Sequence, residues 1–86
     1  MNDKVPKATI LRLPQVKAKT GLGRSTIFSQ AGEGLLPPPI SLGARAVGWV
    51  EREIDAVLEA RIAGAGPEEI RALVAKVVAA RSKEGV

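Results

Sequence analysis

Cysteine and histidine are both absent from this chain of 86 residues, and its aromatic residues are one tryptophan and one phenylalanine. Without cysteine there is no disulfide and no thiolate metal site, and a reducing compartment is expected. Without histidine the chain lacks the commonest metal ligand and the side chain best suited to proton transfer near neutral pH. No remaining group of residues suggests acid–base or metal chemistry, so we predict a protein that is not an enzyme and uses no cofactor.

Long apolar runs are also missing. No segment approaches the roughly 20 apolar residues that a membrane-spanning helix needs. The first ten residues lack the apolar run of a signal peptide. We therefore expect a cytoplasmic, nucleoid-associated protein with no membrane contact. A chain of this length forms one compact domain with a modest core, which disfavours a large buried catalytic pocket.

Positive charge is concentrated in one part of the chain. Residues 1–30 contain six basic residues and one acidic residue, a net charge of +5. Residues 31–50 are neutral overall, and residues 51–86 have six basic and seven acidic residues, a net charge of −1. This asymmetry is typical of a polyanion-binding face on a nearly neutral scaffold, although Lys and Arg also serve simply to solubilise a surface.

The first half of the chain predicts two short helices. The residues Ile10 to Leu13 form a short apolar run, either one strand or an extended lead-in. A first helix is expected from Pro14, since proline suits the start of a helix, to Thr20, before the glycine at position 21. A second helix is expected over 24–31. Two short helices joined by a glycine-containing connection predict a helix-turn-helix.

The second half predicts a β-hairpin and two longer helices. Segments 40–42 and 46–50 flank a connection that contains Gly43, which is typical of a hairpin. A third helix begins at Glu51 with an apolar stripe that includes Ile54, Val57, Leu58 and Ile62. The acidic residues of its first turn interact favourably with the positive end of the helix dipole. A fourth helix begins at Pro67, with Ile70, Leu73, Val74, Val77 and Val78 in one stripe.

Three stretches of the sequence resemble one known family. They are Ile10-Leu11-Arg12-Leu13-Pro14-Gln15-Val16, then Thr20-Gly21-Leu22-Gly23-Arg24-Ser25-Thr26-Ile27-Phe28, and Ile40-Ser41-Leu42-Gly43-Ala44-Arg45-Ala46-Val47-Gly48-Trp49. In this order they resemble the AlpA family of phage and prophage transcriptional regulators, over about residues 10–62. The resemblance implies a MerR-like winged helix-turn-helix fold related to the excisionases. It also implies a non-catalytic module that binds double-stranded DNA.

The chain departs from the family pattern in three places. Gly23 stands where the family usually has serine or a similar N-cap. The residues after Phe28 are small and uncharged, whereas the family typically has a basic or long polar residue there. The fourth helix lies beyond the usual family core. We expect a mainly α fold with a small β-hairpin and an extra C-terminal helix, divided into a flexible segment 1–8, a winged helix-turn-helix domain 9–63 and an amphipathic helix 67–82.

The second helix is the expected recognition helix, with Arg24 as the strongest candidate for DNA contact. At a helix N-terminus its guanidinium can reach a guanine edge or a phosphate, although an arginine at a helix start is often merely solvated. The hairpin supplies Arg45, which could enter a minor groove or stay in solvent. The other DNA-binding candidates, each of which has a plain structural alternative as a cap, a core residue or a solvated side chain, are Arg12, Lys17, Lys19, Ser25, Thr26, Phe28, Ser29 and Gln30. Trp49 is expected to anchor the core.

The expected function is sequence-specific DNA binding in transcription regulation, with the recognition helix in the major groove and the wing at the minor groove or backbone. Two alternatives keep the same fold: an excisionase-like recombination directionality factor, and a protein–protein adaptor. The stripe of residues 67–82 either packs on the domain or joins a second copy in a homodimer or array; the sequence slightly favours self-association, because one helix-turn-helix contacts few base pairs.

Overall fold

The computed structural model describes residues 9–84, and the side chains as far as residue 81; the predicted flexible segment 1–8 lies outside the described residues. This part of the chain is mostly helical with one small sheet. Its elements in chain order are β1 (Ile10–Leu11), α1 (Leu13–Thr20), α2 (Arg24–Gly32), β2 (Ile40–Ser41), β3 (Val47–Val50), α3 (Glu51–Ile62) and α4 (Pro67–Glu84). No helix among these residues is long and apolar enough to cross a membrane.

Helices α1 and α2 form the predicted pair, joined by three residues. Gly21 ends α1 at φ 74°, a left-handed conformation that glycine adopts without strain, and its N–H donates to the Lys17 carbonyl at 2.8 Å. The Thr20 hydroxyl donates to the Val16 carbonyl and accepts the Leu22 N–H, so it fixes the direction in which the chain leaves the helix. Val16 and Ile27 are fully buried and hold the two helices against the core.

The sheet has three antiparallel strands in the order β1-β3-β2, so the predicted hairpin gains a third strand from the segment before α1. Leu11 pairs with Trp49, and Ile40 pairs with Gly48. The strands pack so closely that a Cβ on Gly48 would lie 2.4 Å from Cγ2 of Ile10 and 2.9 Å from Cδ1 of Leu42. Only glycine therefore fits this position of the central strand without displacing its neighbours.

Helix α4 packs against α3 and completes the core. Ile70 and Val74 are buried in the same cluster as Trp49, Ile54 and Val57. Of the predicted stripe of α4, Ile70 and Val74 are buried and Leu73 and Val78 pack partly against the core, so residues 9–63 share their core with the helix that follows. Self-association through this stripe stays a prediction, and it would compete with the packing that the structure contains.

Two details of the long helices differ from the sequence-based expectations. Ile62, assigned to the apolar stripe of α3, is 85% exposed because it is the last residue of the helix, where the chain turns away from the core. Glu53 belongs to the acidic first turn of α3, as the sequence indicates, but its burial was not predicted: it is only 2% exposed. Its carboxylate oxygens accept hydrogen bonds from Arg81 at 2.6 and 2.8 Å, and Arg81 also donates to the Pro38 carbonyl at 2.8 Å.

Candidate nucleic-acid interface

The outer face of α2 is polar and open to solvent. The side chains of Arg24, Ser25, Thr26 and Ser29 are exposed, while Ile27 points into the core. The helix begins after Gly23, and no side chain among the described residues caps its first turn. The backbone N–H groups of that turn therefore remain available as donors, beside a row of short hydroxyl side chains.

Arg24 contacts one aromatic ring, which itself packs against a second. Its guanidinium carbon lies 5.3 Å from the centre of the Phe28 ring, within the range of a cation–π contact. Phe28 in turn meets Trp49 edge-on, with ring centres 5.6 Å apart and an angle of 64° between the planes. Trp49 is fully buried, which confirms it as a core anchor, whereas Phe28 is 39% exposed and belongs partly to the core and partly to the surface.

Three arginines from three separate elements line one cleft of about 260 Å³. Arg12 comes from the residue before α1, Arg24 from the start of α2 and Arg45 from the connection between β2 and β3, with Phe28, Val47 and Trp49 beside them. No acidic residue is among the described residues that line this space. We call it the three-arginine cleft. It brings together candidates up to 33 positions apart in the sequence.

The two lysines of α1 differ in their surroundings. Lys17 is exposed, and no ion pair involving it occurs among the described residues. Lys19 lies against α3, with Nζ 2.8 Å from a carboxylate oxygen of Asp55 and 2.5 Å from one of Glu51. The hydrogen bonds to Asp55 and Glu51 raise the pKa of Lys19 above its ordinary value of 10.5. A phosphate at Lys19 would have to compete with these two carboxylates.

Gln30 is also engaged within the chain. Its side-chain oxygen accepts a hydrogen bond at 3.0 Å from Arg61 of α3, which also donates to the Leu35 carbonyl at 3.2 Å. Among the described residues, no hydrogen bond from the amide NH₂ of Gln30 occurs. Arg71 of α4 similarly donates to the Glu33 carbonyl at 3.1 Å. Two arginines thus anchor the end of α2, and sequence reasoning missed both because their partners are distant backbone and amide groups.

The candidate residues therefore divide into those that share a face and those that do not. Arg12, Arg24, Arg45 and Phe28 meet at the three-arginine cleft, which adjoins the exposed first turn of α2. Lys17 lies on α1 with its charged side chain exposed to solvent. Lys19 and Gln30 are tied to α3. Their roles toward DNA stay predictions.

Comparison with known proteins gives one family and two relatives. Residues 9–62 match the family model described as prophage CP4-57 regulatory protein (AlpA). The chain is similar to an uncharacterized protein, ORF88, of enterobacteria phage P4, with 40% identity over 60 residues that cover 70% of this chain and 68% of the relative. It is also similar to the DNA-binding transcriptional activator AlpA of Escherichia coli K12, with 43% identity over 58 residues that cover 60% of this chain and 83% of the relative. No solved structure matches the chain.

Proposed function

Because the chain belongs to the AlpA family, we propose that it is a DNA-binding transcription regulator of phage type. In this proposal α2 enters the major groove of double-stranded DNA, and the β2–β3 hairpin acts as a wing at the adjacent minor groove or backbone. The observation that carries the proposal is the joining of an exposed, hydroxyl-rich α2 surface to the three-arginine cleft. Such binding requires hydrogen-bond donors to the DNA phosphates and short polar side chains that reach base edges.

The wing is the second element of the proposed interface. Arg45 lies in the connection between β2 and β3 and is exposed. Arg45 and Arg24 line the same cleft, so a duplex lying against α2 would also meet the hairpin. The shared cleft supports an interface that includes both α2 and the hairpin.

Selection of bound fragments from a random pool of duplex DNA tests the proposal. We expect enrichment of a defined sequence, and retarded bands with that duplex that persist to higher salt than those with a scrambled duplex. A protein that shifts no duplex at about 50 mM salt would contradict DNA binding and favour the adaptor, because even non-specific binders bind at low salt.

The selected sequence also separates the two DNA-directed roles. Its location beside a promoter, with little bending of the bound fragment, is the outcome expected for a transcription regulator. Its location at a phage attachment site, with strong bending in a circular-permutation gel assay, would instead identify a recombination directionality factor. Reporter transcription with and without the protein then gives the sign of regulation.

A further inference from the structure

The three-arginine cleft has the features of a binding site for one anion rather than of a general basic surface. Arg12, Arg24 and Arg45 converge from three elements on a concave space of about 260 Å³ with no carboxylate among its lining residues. Like charges brought together in this way repel each other, and a bound anion relieves that repulsion. Planar guanidinium groups also match the oxygens of a phosphate group with two hydrogen bonds each.

Two further observations point to an anion at this place. The first turn of α2 has Gly23 as its N-cap and no side-chain cap among the described residues, so its N–H groups are free beside Arg24. Trp49, which lines the cleft, is fully buried, and its indole Nε1–H has no hydrogen-bond partner in the described part of the chain. Buried donors are normally satisfied, so this unpartnered donor is unusual, and it belongs to a residue that lines the cleft.

The contact between Arg24 and Phe28 bears on whether Arg24 meets a phosphate or a base. The Arg24 guanidinium is held over the Phe28 ring, and Phe28 is held against the buried Trp49. The cation–π contact favours a conformation in which Arg24 lies at the cleft with Arg12 and Arg45. Ser25, Thr26 and Ser29 remain exposed on α2 and are not among the residues that line the cleft.

We propose that the three-arginine cleft seats a single phosphate group of the DNA backbone, bound jointly by Arg12, Arg24 and Arg45. Arg24 then supplies affinity and fixes the register of α2, while base discrimination falls to Ser25, Thr26 and Ser29. This inference rests on the proposed function, because it assumes that DNA is the ligand. It goes further in assigning three arginines to one phosphate and in removing Arg24 from base reading.

The first test compares affinities for the selected duplex and for a scrambled duplex. Arg24→Ala is expected to weaken binding to both by about tenfold or more, since a charge-assisted hydrogen bond is lost, with the ratio of the two affinities unchanged within about twofold. Ser25→Ala and Thr26→Ala are expected to lower that ratio. Lys76→Ala, which removes an exposed positive charge on α4, is the matched control and should leave both affinities unchanged. Loss of the affinity ratio in Arg24→Ala would overturn the proposal.

The second test measures how the arginines act together. If they share one phosphate, the triple alanine variant lowers the slope of log K against log salt by about 0.9, whereas three separate phosphates would lower it by about 2.7. Arg45→Ala should also cost less affinity in the Arg24→Ala background than in the wild-type protein, because the shared phosphate site is already impaired. Independent, multiplicative losses with a slope change for each arginine would contradict a shared phosphate. Circular dichroism and thermal unfolding establish that each variant is folded.

A third measurement distinguishes the source of the phosphate. Trp49 is the one tryptophan of the chain and lines the cleft, so its emission reports on occupancy. We expect a saturable change with inorganic phosphate at constant ionic strength, lost in Arg24→Ala, kept in Lys76→Ala and suppressed by the duplex. A phosphate response that the duplex leaves intact would overturn the backbone assignment. If the wild-type protein bound no duplex at all, the proposed function would fail; if it bound DNA with independent arginines, only this inference would fail.

Discussion

Arg81 of α4 and Glu53 of α3, which are 28 positions apart, form a bidentate ion pair with N···O distances of 2.6 and 2.8 Å. Glu53 is 2% exposed, so its carboxylate depends on this partner for compensation of its charge. Arg81 also binds the Pro38 carbonyl and so connects α4 to the segment that leads into β2. The hydrogen bonds that Arg81 donates to Glu53 hold the pKa of Arg81 above its ordinary value. Helix α4, which lies beyond the matched family region, is therefore joined to the domain by an ion pair and a hydrogen bond as well as by apolar packing.

Removal of Arg81 is expected to be strongly destabilising. Arg81→Ala leaves Glu53 as a buried charge without a partner, and we expect the free energy of unfolding to fall by about 3 kcal/mol or more in urea denaturation. Glu53→Gln combined with Arg81→Met should recover most of this loss, because no unpaired charge remains. Arg71→Ala, which removes an exposed arginine of the same helix, serves as the control and should cost about 1 kcal/mol or less. Equal losses for Arg71→Ala and Arg81→Ala would contradict a special role for the buried pair.

Gly48 is expected to tolerate no side chain. Gly48→Ala places a methyl group against Ile10 and Leu42, and overpacking of this kind costs about 1–3 kcal/mol. Ile10→Ala removes the closest contacting atom and should therefore be less costly in the Gly48→Ala background than in the wild-type protein. Gly32→Ala meets no atom within 4 Å, so its stability should be unchanged or slightly raised. Thermal unfolding of the four variants measures these differences.

The pKa of Lys19 is expected to depend on its two carboxylate partners. Asp55→Asn should lower this pKa toward 10.5, because the hydrogen bond to Asp55 is the largest contribution to its upward shift. The sign for stability follows from the raised pKa: the contribution of Lys19 is fully present below about pH 10.5, the unfolded value, and is lost as the pH rises through the folded value. Titration of the lysine side-chain resonances by NMR measures the shift. The chain has no cysteine and no tyrosine to titrate in the same range. An unchanged pKa in Asp55→Asn would contradict the pairing.

The two lysines of α1 should differ in their effect on DNA binding. Lys17→Ala is expected to weaken binding to all duplexes alike and to reduce the salt slope by about 0.9, as loss of one phosphate contact does. Lys19→Ala should have a smaller effect, because Glu51 and Asp55 already neutralise its ammonium group. Gel-shift titrations at several salt concentrations provide the comparison. A larger loss in Lys19→Ala would mean that DNA displaces the two carboxylates.

Although the sequence slightly favours self-association, the burial of Ile70 and Val74 within the chain leads us to expect a monomer at micromolar concentration. Sedimentation velocity tests this directly. Ile70→Ala should lower the free energy of unfolding by about 2 kcal/mol or more by leaving a cavity, and its midpoint temperature should not depend on protein concentration. Ile62→Ala, at an 85% exposed position, should change stability by less than about 0.5 kcal/mol. A concentration-dependent midpoint would instead support self-association through α4.

The local features of the sequence determined most of the secondary structure. Gly21 ends α1, and Pro67 begins α4, because the conformational preferences of these residues act within one turn of the chain. The apolar periodicity of α4 placed Ile70 and Val74 on its buried face, and the burial of Trp49 followed from its size and its place between the hairpin and α3. Strand β1 was less certain in the sequence, because the short apolar run Ile10 to Leu13 supports either a strand or an extended lead-in to α1.

The tertiary structure alone decided which charged side chains are available at the surface. Glu53 had the sequence features of a helix-start carboxylate, yet packing of α4 buries it against Arg81. Lys19 had the same local features as Lys17, yet the approach of α3, 32 positions away, pairs it with Glu51. The meeting of Arg12, Arg24 and Arg45 likewise depends on how three elements pack. The sequence by itself determined the helices, the turns and the basic character of one half of the chain, because those depend on interactions between near neighbours. Partner choice depends on which distant elements the core brings together, and no local pattern records that.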